Sequence, residues 1–254
     1  MTKSDEDRRH NAIRDILLDK VKPKISNREF FSAQTFDATT LALEDPFAFL
    51  IASCLGRQTE SERIWTIPYD LKQRLGALDV AAISQIPERK LDQIARELPN
   101  KPRFVNTAAK TILDLSRMIR DKSGGRAENM WQDRSPKQFE RDLRSIRGVG
   151  PHIASMTSNL VIRLYGDVFS RDDLKMVDIK ADIHTRRVLY RLGIAAENSD
   201  TAALEAARRL NPPYSRGLDA PLWCTFPDIE GTAGVAPAAT THLGWRVPPS
   251  VTVF

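Results

Sequence analysis

Two glycines separated by one residue, Gly148 and Gly150, stand between two amphipathic segments. The apolar spacing predicts one helix over residues 135–146 and another over residues 151–165. Glycine adopts backbone angles that other residues avoid and lets another chain segment approach closely. The sequence therefore predicts a helix–hairpin–helix corner at about residues 139–160.

This predicted corner has the features of an anion-binding site. The amides around Gly148, Val149 and Gly150 stand at the start of the second helix, where the helix dipole favours negative charge. A DNA phosphate is a natural ligand, and Arg144 and Arg147 flank the turn. The alternative is an ordinary corner between two helices, which the two glycines alone would not exclude.

Elsewhere, helical periodicity is common and alternating strand patterns are rare, which predicts an all-α protein. Further helices are predicted at 8–21, 46–55, 58–66, 69–75, 79–84, 88–97, from Asn106 to the break at Ser123, 183–192 and 200–210.

The expected architecture has two lobes with a cleft between them. A helical barrel lobe spans residues 46–165, and residues 1–45 plus 166–225 form a second lobe from both termini. The segment 226–254 has little charge and no core-forming spacing, so we expect a poorly ordered tail.

Composition indicates a soluble globular protein, with 41% hydrophobic and 28% charged residues in 254. No apolar run is long enough for a membrane helix, and the charged N-terminus lacks a signal core, so we expect a cytoplasmic location. The net charge of +5 favours a polyanionic partner. Residues 117–147 hold nine Lys or Arg and five Asp or Glu, which also fits a plain solvated surface.

A second motif, D-I-H-T-R-R-V, begins at Asp182, which on its own would be called a helix cap. Following a glycine hairpin, it resembles the D-x-H-x-x-R-V segment of the endonuclease III and adenine-glycosylase superfamily. The apolar segment 49–59, which contains Gln58, and the segment 104–110 are also similar. The resemblance covers roughly residues 40–225.

The resemblance implies a DNA glycosylase of base-excision repair that acts as a monomer on double-stranded DNA containing a lesion. Asp182 would be the catalytic carboxylate, and His184 would lie beside it at the site. Gln58, aided by Arg57, would fill the gap left by the flipped base, although Gln58 also fits a surface position. A carboxylate suits this chemistry, because breaking the N-glycosidic bond builds positive charge on the sugar.

Two departures from the family narrow the expected activity. Members that also cut the strand use a lysine as an amine nucleophile where this chain has His152, and imidazole cannot form that imine. We therefore expect a monofunctional enzyme, with Lys180 as a remote substitute. His152 would line the base pocket, contact a phosphate or simply lie on the surface. Adenine-specific members carry a Glu where this chain has Ser53, which disfavours an adenine activity.

The long connector after His152 leaves a rival for the catalytic carboxylate, Asp178. Asp182 is preferred, because a histidine follows it by two residues and an Arg-Val pair by five and six.

No cofactor or metal is expected. Many family members hold a [4Fe–4S] cluster with four closely spaced cysteines near the C-terminus, whereas this chain has Cys54 and Cys224. Similarity to that region reaches residues 218–223 and then stops. One hypothesis is that the segment after Trp223 is read in a shifted frame or has been replaced.

Two other functions remain open. A non-catalytic DNA-binding protein would use the same hairpin to grip phosphates, and a helical protein–protein scaffold would have no affinity for DNA. The glycosylase hypothesis requires the hairpin and Asp182 to face one groove that is wide enough for a flipped nucleotide.

Overall fold

The computed structural model describes residues 3–21, 26–57, 59–166 and 168–224. Within these ranges the chain forms fourteen α-helices and no β-strand, so the predicted all-α fold class is confirmed. The expected tail, residues 226–254, lies outside the described residues.

The bounds of the helices are α1 Lys3–Asp15, α2 Asn27–Phe30, α3 Phe36–Glu44, α4 Pro46–Leu55, α5 Ser61–Leu75, α6 Val80–Gln85, α7 Glu88–Glu97, α8 Val105–Lys122, α9 Pro136–Arg144, α10 Pro151–Tyr165, α11 Arg171–Leu174, α12 Ile183–Arg191, α13 Asp200–Leu210 and α14 Asp219–Cys224. A π-helix at Ile16–Val21 and 3₁₀ turns at Ala127–Met130 and Ser215–Leu218 complete the regular elements.

The chain divides into two compact units. The central unit contains the described residues from 26 to 169, and the terminal unit combines residues 3–21 with 170–224. The sequence prediction placed residues 26–45 in the other lobe. They belong to the central unit because α3 packs against both α4 and α5.

Helix α4 forms the middle of the central unit. Asp45 caps it by accepting hydrogen bonds from the amides of Phe47 and Ala48, and Pro46 occupies its first turn. All side chains from Phe47 to Leu55 are buried. The ring of Phe49 stacks on Trp65 and meets Trp131 edge-on. Such aromatic pairs contribute about 0.5–1.5 kcal/mol each beyond the area that they bury.

Helix α5 corrects the prediction of two helices at 58–66 and 69–75. Proline removes a backbone donor and normally breaks a helix at a cost of about 3 kcal/mol, yet α5 continues through Pro68. Ile64, Trp65, Ile67 and Leu71 are all buried on this helix. Burial of each such side chain stabilises by about 1.5–3 kcal/mol, so together they outweigh the lost bond.

The terminal unit has its own core, in which α12, α13 and α14 pack together. Its buried apolar side chains are Leu17, Ile179, Val188, Leu189, Ile194, Ala195, Ala203, Ala206, Ala207, Leu210, Leu218 and Leu222. The chain between α11 and α12 enters this core at Ile179, which fixes the approach to the N-terminus of α12.

Among the described residues, no single helix combines the length and apolar character needed to cross a membrane. Helices α3 and α4 satisfy the test only as a pair that is bent by 104°.

Candidate functional site

The hairpin between α9 and α10 turns at Gly148, whose φ of +86° lies in the region that favours glycine. A Cβ atom here would lie 2.9 Å from both Arg57 Nη2 and Thr111 Oγ1. The neighbouring Val149 is buried, and its amide donates a hydrogen bond to the carbonyl of Ile146 over 3.0 Å. Gly148 therefore permits a close approach, and Val149 anchors the turn to the interior.

Gly150 differs from its prediction. Its φ of −88° and ψ of 176° describe extended backbone that any residue adopts. The expected unusual backbone angle at Gly150 is wrong, because the left-handed step of the turn falls at Gly148. Gly150 is the N-cap of α10 but supplies no side-chain cap, and a Cβ atom on it would meet nothing within 4 Å. The N-terminus of α10 is therefore open enough to receive an anion.

Helix α8 holds the hairpin through two side chains. Thr111 Oγ1 donates to the carbonyl of Arg147 over 2.7 Å. Asp114 accepts hydrogen bonds from the Arg147 amide at 3.1 Å, Nε at 2.7 Å and Nη2 at 2.9 Å. The guanidinium of Arg147 thereby holds the pKa of Asp114 below its ordinary value. Arg147 supports the hairpin, whereas Arg144 is exposed and forms no ion pair within the described part of the chain.

Arg57 lies beside this hairpin in a half-buried position. Its Nη2 donates to Thr107 Oγ1 over 2.8 Å, and its guanidinium carbon lies 4.6 Å from the centre of the Phe104 ring. Burial lowers the pKa of Arg57. Phe104 is 41% exposed, and the guanidinium of Arg103 lies 5.9 Å from its ring. An exposed aromatic ring between two arginines is typical of nucleic-acid contacts.

Phe104 begins the similar segment 104–110, but the sequence did not predict it as a site residue. Its signal was weak, because one aromatic residue before a helix is usually part of a core, and only its exposure beside Arg57 distinguishes it here.

Three further residues of the central unit were discussed from the sequence: Gln58, His152 and Ser53. Gln58 lies outside the described residues, so its role stays a prediction. His152 is exposed in the first turn of α10. Ser53 is buried, and its Oγ donates to the carbonyl of Phe49 over 2.9 Å. With Met156 it lines a mainly apolar hollow that contains no carboxylate.

Asp182 is the N-cap of α12, as predicted from its position. Its Oδ1 accepts hydrogen bonds from the amides of His184 at 3.0 Å and Thr185 at 3.1 Å. Its Oδ2 is buried and accepts no hydrogen bond from any described residue. Lys180 Nζ lies 3.5 Å from Oδ2, and the two side chains are 16% and 15% exposed. One oxygen therefore holds the helix, while the other faces a cation.

The surroundings of Asp178 are different. Its two oxygens accept hydrogen bonds from Nε and Nη2 of Arg208, at 2.8 Å and 2.6 Å. Both oxygens of Asp178 are thus occupied by one arginine, and this paired geometry is typical of a structural ion pair. His184 contacts Asp182 through its amide and is half-buried.

The cysteines do not fit an iron–sulfur cluster. A [4Fe–4S] cluster takes four thiolates, and the chain has two cysteines. Cys54 is buried in α4, where burial raises the pKa of its thiol to about 12. Within the described ranges, no group of three or more His, Cys, Asp or Glu residues is placed to hold a metal ion.

An all-helical fold, a hairpin with an open helix N-terminus, and a downstream aspartate at another helix N-terminus together define a helix–hairpin–helix DNA-repair protein. Residues 51–213 match the family described as HhH-GPD superfamily base excision DNA repair protein. The chain belongs to this family, and it is a DNA glycosylase of base-excision repair.

Solved structures share the fold. A non-covalent endonuclease III–DNA complex is similar at 19% identity with a TM-score of 0.54, covering 88% of this chain and 86% of that one. A trapped endonuclease III–DNA covalent intermediate has 18% identity and a TM-score of 0.51 over the same shares, 88% and 86%. A thermostable thymine-DNA glycosylase has 15% identity and a TM-score of 0.52, with 87% of each chain covered. No curated protein sequence matches the chain.

Proposed function

We propose that this protein is a monofunctional DNA glycosylase that hydrolyses the N-glycosidic bond of a damaged or mispaired base, with Asp182 as the catalytic carboxylate. The observation that carries the proposal is the division of labour in Asp182. Oδ1 caps α12 while Oδ2 accepts no hydrogen bond from any described residue. Asp178, its rival, has both oxygens bound to Arg208.

In the proposed mechanism, Oδ2 acts on the sugar of the flipped nucleotide. As the bond to the base breaks, positive charge develops on the sugar, and a carboxylate about 4 Å away stabilises it by about 4 kcal/mol at an effective dielectric near 20. The same oxygen can accept a proton from the attacking water, which typically contributes about 10²–10⁴ in rate.

DNA would be held by the hairpin. The open N-terminus of α10 receives a phosphate, and the exposed Arg144 adds positive charge nearby. Arg57 and Phe104 provide a guanidinium and an aromatic face for the space left by the flipped base, together with Gln58. We also propose that His152 and His184 each contact the DNA. The enzyme would act as a monomer on cytoplasmic double-stranded DNA and would use no cofactor.

The proposed absence of strand cutting depends on which amines could serve as the nucleophile. His152 stands where an amine nucleophile would be needed, and the side chain of Lys180 lies 3.5 Å from Asp182 Oδ2 as its ion-pair partner. Incubation with borohydride should therefore trap no covalent complex between the protein and processed DNA.

The decisive experiment is a lesion panel. Duplexes containing uracil, thymine glycol, a thymine–guanine mispair or 8-oxoguanine are incubated with the protein, and alkali then cleaves any abasic site. We expect release from at least one duplex, with a single-turnover rate that falls by at least about 10²-fold in Asp182→Asn. Asn caps helices as well as Asp, so the fold should survive.

The matched control is Asp178→Asn, which loosens an ion pair in the same connector but leaves Asp182 intact. It should keep most of the rate. Salt-sensitive DNA binding without base release by the wild-type protein would instead identify a non-catalytic DNA-binding protein.

A further inference from the structure

The connector 177–182, which leads into α12, has no regular secondary structure. Its backbone is held by side chains from the segment 215–219. Ser215 Oγ donates to the Val177 carbonyl over 3.0 Å, and Arg216 Nη1 donates to the Asp178 carbonyl over 3.1 Å. Asp219 Oδ1 accepts a hydrogen bond from the Lys180 amide over 2.9 Å. Three side chains in one short segment thus replace the backbone bonds that a helix or strand would provide.

Two of these side chains form a buried ion pair. Arg216 Nη2 lies 3.4 Å from Asp219 Oδ2, and the side chains are 1% and 12% exposed. Burial raises the pKa of Asp219, and the neighbouring Arg216 opposes that rise. A buried ion pair is weak evidence for stability, because apolar residues of similar volume often serve as well. Both side chains also hydrogen-bond to the connector, which points to a role in positioning its backbone.

We propose that Arg216 and Asp219, termed the clasp, are positioning residues for Asp182. The clasp fixes the carbonyl of Asp178 and the amide of Lys180, two residues before Asp182.

Lys180 transmits this constraint to the carboxylate. With its amide bound to Asp219, the Lys180 side chain reaches Asp182 Oδ2 at 3.5 Å, and its carbonyl accepts hydrogen bonds from the Asp182 amide at 2.8 Å and Thr185 Oγ1 at 2.7 Å. Displacement of Lys180 would therefore shift both the cation beside Oδ2 and the start of α12.

This inference rests on the proposed role of Asp182. It predicts that loss of the clasp misplaces the carboxylate of Asp182 relative to the sugar but leaves DNA binding intact. A misplacement of about 1 Å can reduce a catalytic rate by about 10²-fold. Purely structural residues would weaken every property of the protein together. A test must therefore compare two ligands that differ only in the charge at the sugar.

The probes are two duplexes that need no knowledge of the lesion. One carries a cationic pyrrolidine abasic analogue, and the other carries a neutral tetrahydrofuran abasic analogue. The ratio of their dissociation constants, measured by fluorescence anisotropy on the full chain, reports how well an anionic group is placed against the sugar. General damage to the fold cancels in this ratio.

The main variant is Arg216→Met/Asp219→Leu, which removes both buried charges together and so leaves neither unpaired. We expect it to bind the neutral duplex like the wild type but to lose about tenfold or more of the preference for the cationic duplex. Asp219→Asn, which keeps the size of the side chain, is the second variant, and a smaller loss of the same kind is expected. It decides the question if the double variant does not fold.

Arg209→Met is the matched control. Arg209 is an exposed arginine of the terminal unit that also donates to a carbonyl, that of Ile194 over 2.8 Å, which lies outside the connector. Its preference should equal that of the wild type. A folded clasp variant with an unchanged preference overturns the inference alone, provided that Asp182→Asn abolishes the preference. If Asp182→Asn keeps the preference, or the wild type has none, the proposed role of Asp182 fails and the inference with it.

Discussion

At the scale of single residues, Asp182 performs two tasks through two atoms. Its Oδ1 satisfies two amides at the start of α12, and loss of such a cap typically destabilises by about 1 kcal/mol. Its Oδ2 faces Lys180 without a hydrogen bond and carries the proposed chemistry. Substitution with Asn preserves the first task and removes the second, whereas Ala removes both. Activity and stability can therefore be separated at one position.

Both the backbone angle and the close neighbours of Gly148 require a glycine at this position. Gly148→Ala combines a strained φ of +86° with a Cβ atom 2.9 Å from Arg57 Nη2 and Thr111 Oγ1. Left-handed backbone costs about 1–2 kcal/mol for an L-residue, and overpacking adds about 1–3 kcal/mol. We expect Gly148→Ala to lower the free energy of unfolding by about 2–5 kcal/mol in urea denaturation.

Gly125→Ala separates the two effects. Gly125 has a φ of +80°, but a Cβ atom there would meet nothing within 4 Å. Only the cost of the backbone angle should remain, about 1–2 kcal/mol. Equal losses in the two variants would mean that Arg57 and Thr111 yield without cost.

The sequence could predict some of these residues and not others. The pattern around Asp182 singled it out, but only coordinates show that Asp178 is bound by Arg208, since those residues are far apart in the chain. Two glycines in one motif looked equivalent, although only Gly148 has a positive φ. Arg216 and Asp219 gave no signal, because nothing local marks a charged pair as buried.

At the scale of elements, caps made helix positions predictable. Ser135 and Gln138 form a capping box at the start of α9, and Asp45 caps α4, so both predicted starts agree with the structure. The short helices α2 and α3 were not predicted, because their apolar spacing is brief. The continuation of α5 through Pro68 depends on burial, which local propensity does not contain.

The link between α8 and the hairpin should depend on pH. The pKa of Asp114 lies below its ordinary value of 3.8 because Arg147 binds the ionised form. Its contribution to stability is therefore complete above about pH 4 and is lost as the pH falls through the folded-state pKa. When the pH falls from 6 to 3, the free energy of unfolding should decrease less for Asp114→Asn than for the wild type. The two decreases should differ by about 1 kcal/mol at most after solvent screening.

Urea denaturation at the two pH values measures this difference. Asp121→Asn, on the same helix, removes a carboxylate whose partner, Arg120, does not connect α8 to the hairpin. Because its carboxylate is more exposed than that of Asp114, Asp121→Asn should change the pH dependence of unfolding less than Asp114→Asn does. Identical pH dependence in Asp114→Asn and the wild type would contradict the assignment of this link.

At the scale of the whole molecule, the net charge of +5 is modest, and its use depends on which arginines are already paired. Arg147 is bound to Asp114, and Arg208 is bound to Asp178. The net charge includes Arg147 and Arg208 as if they were available to DNA, although Asp114 and Asp178 already neutralise them. Composition alone cannot show which arginines are paired in this way.

Arg144 and Arg147 should therefore affect DNA binding differently. A phosphate contact releases about one counterion, so Arg144→Gln should reduce the slope of log affinity against log salt by about 1. It should weaken binding to damaged and undamaged duplexes equally, because a phosphate carries no information about the base. Arg147→Gln should change this slope less, because its charge already faces Asp114, and should instead lower stability. Anisotropy titrations between 50 and 200 mM salt, roughly the range in which such contacts dominate, distinguish the two. A larger slope change for Arg147 than for Arg144 would mean that DNA displaces Asp114, so that the hairpin exchanges its internal ion pair for a phosphate on binding.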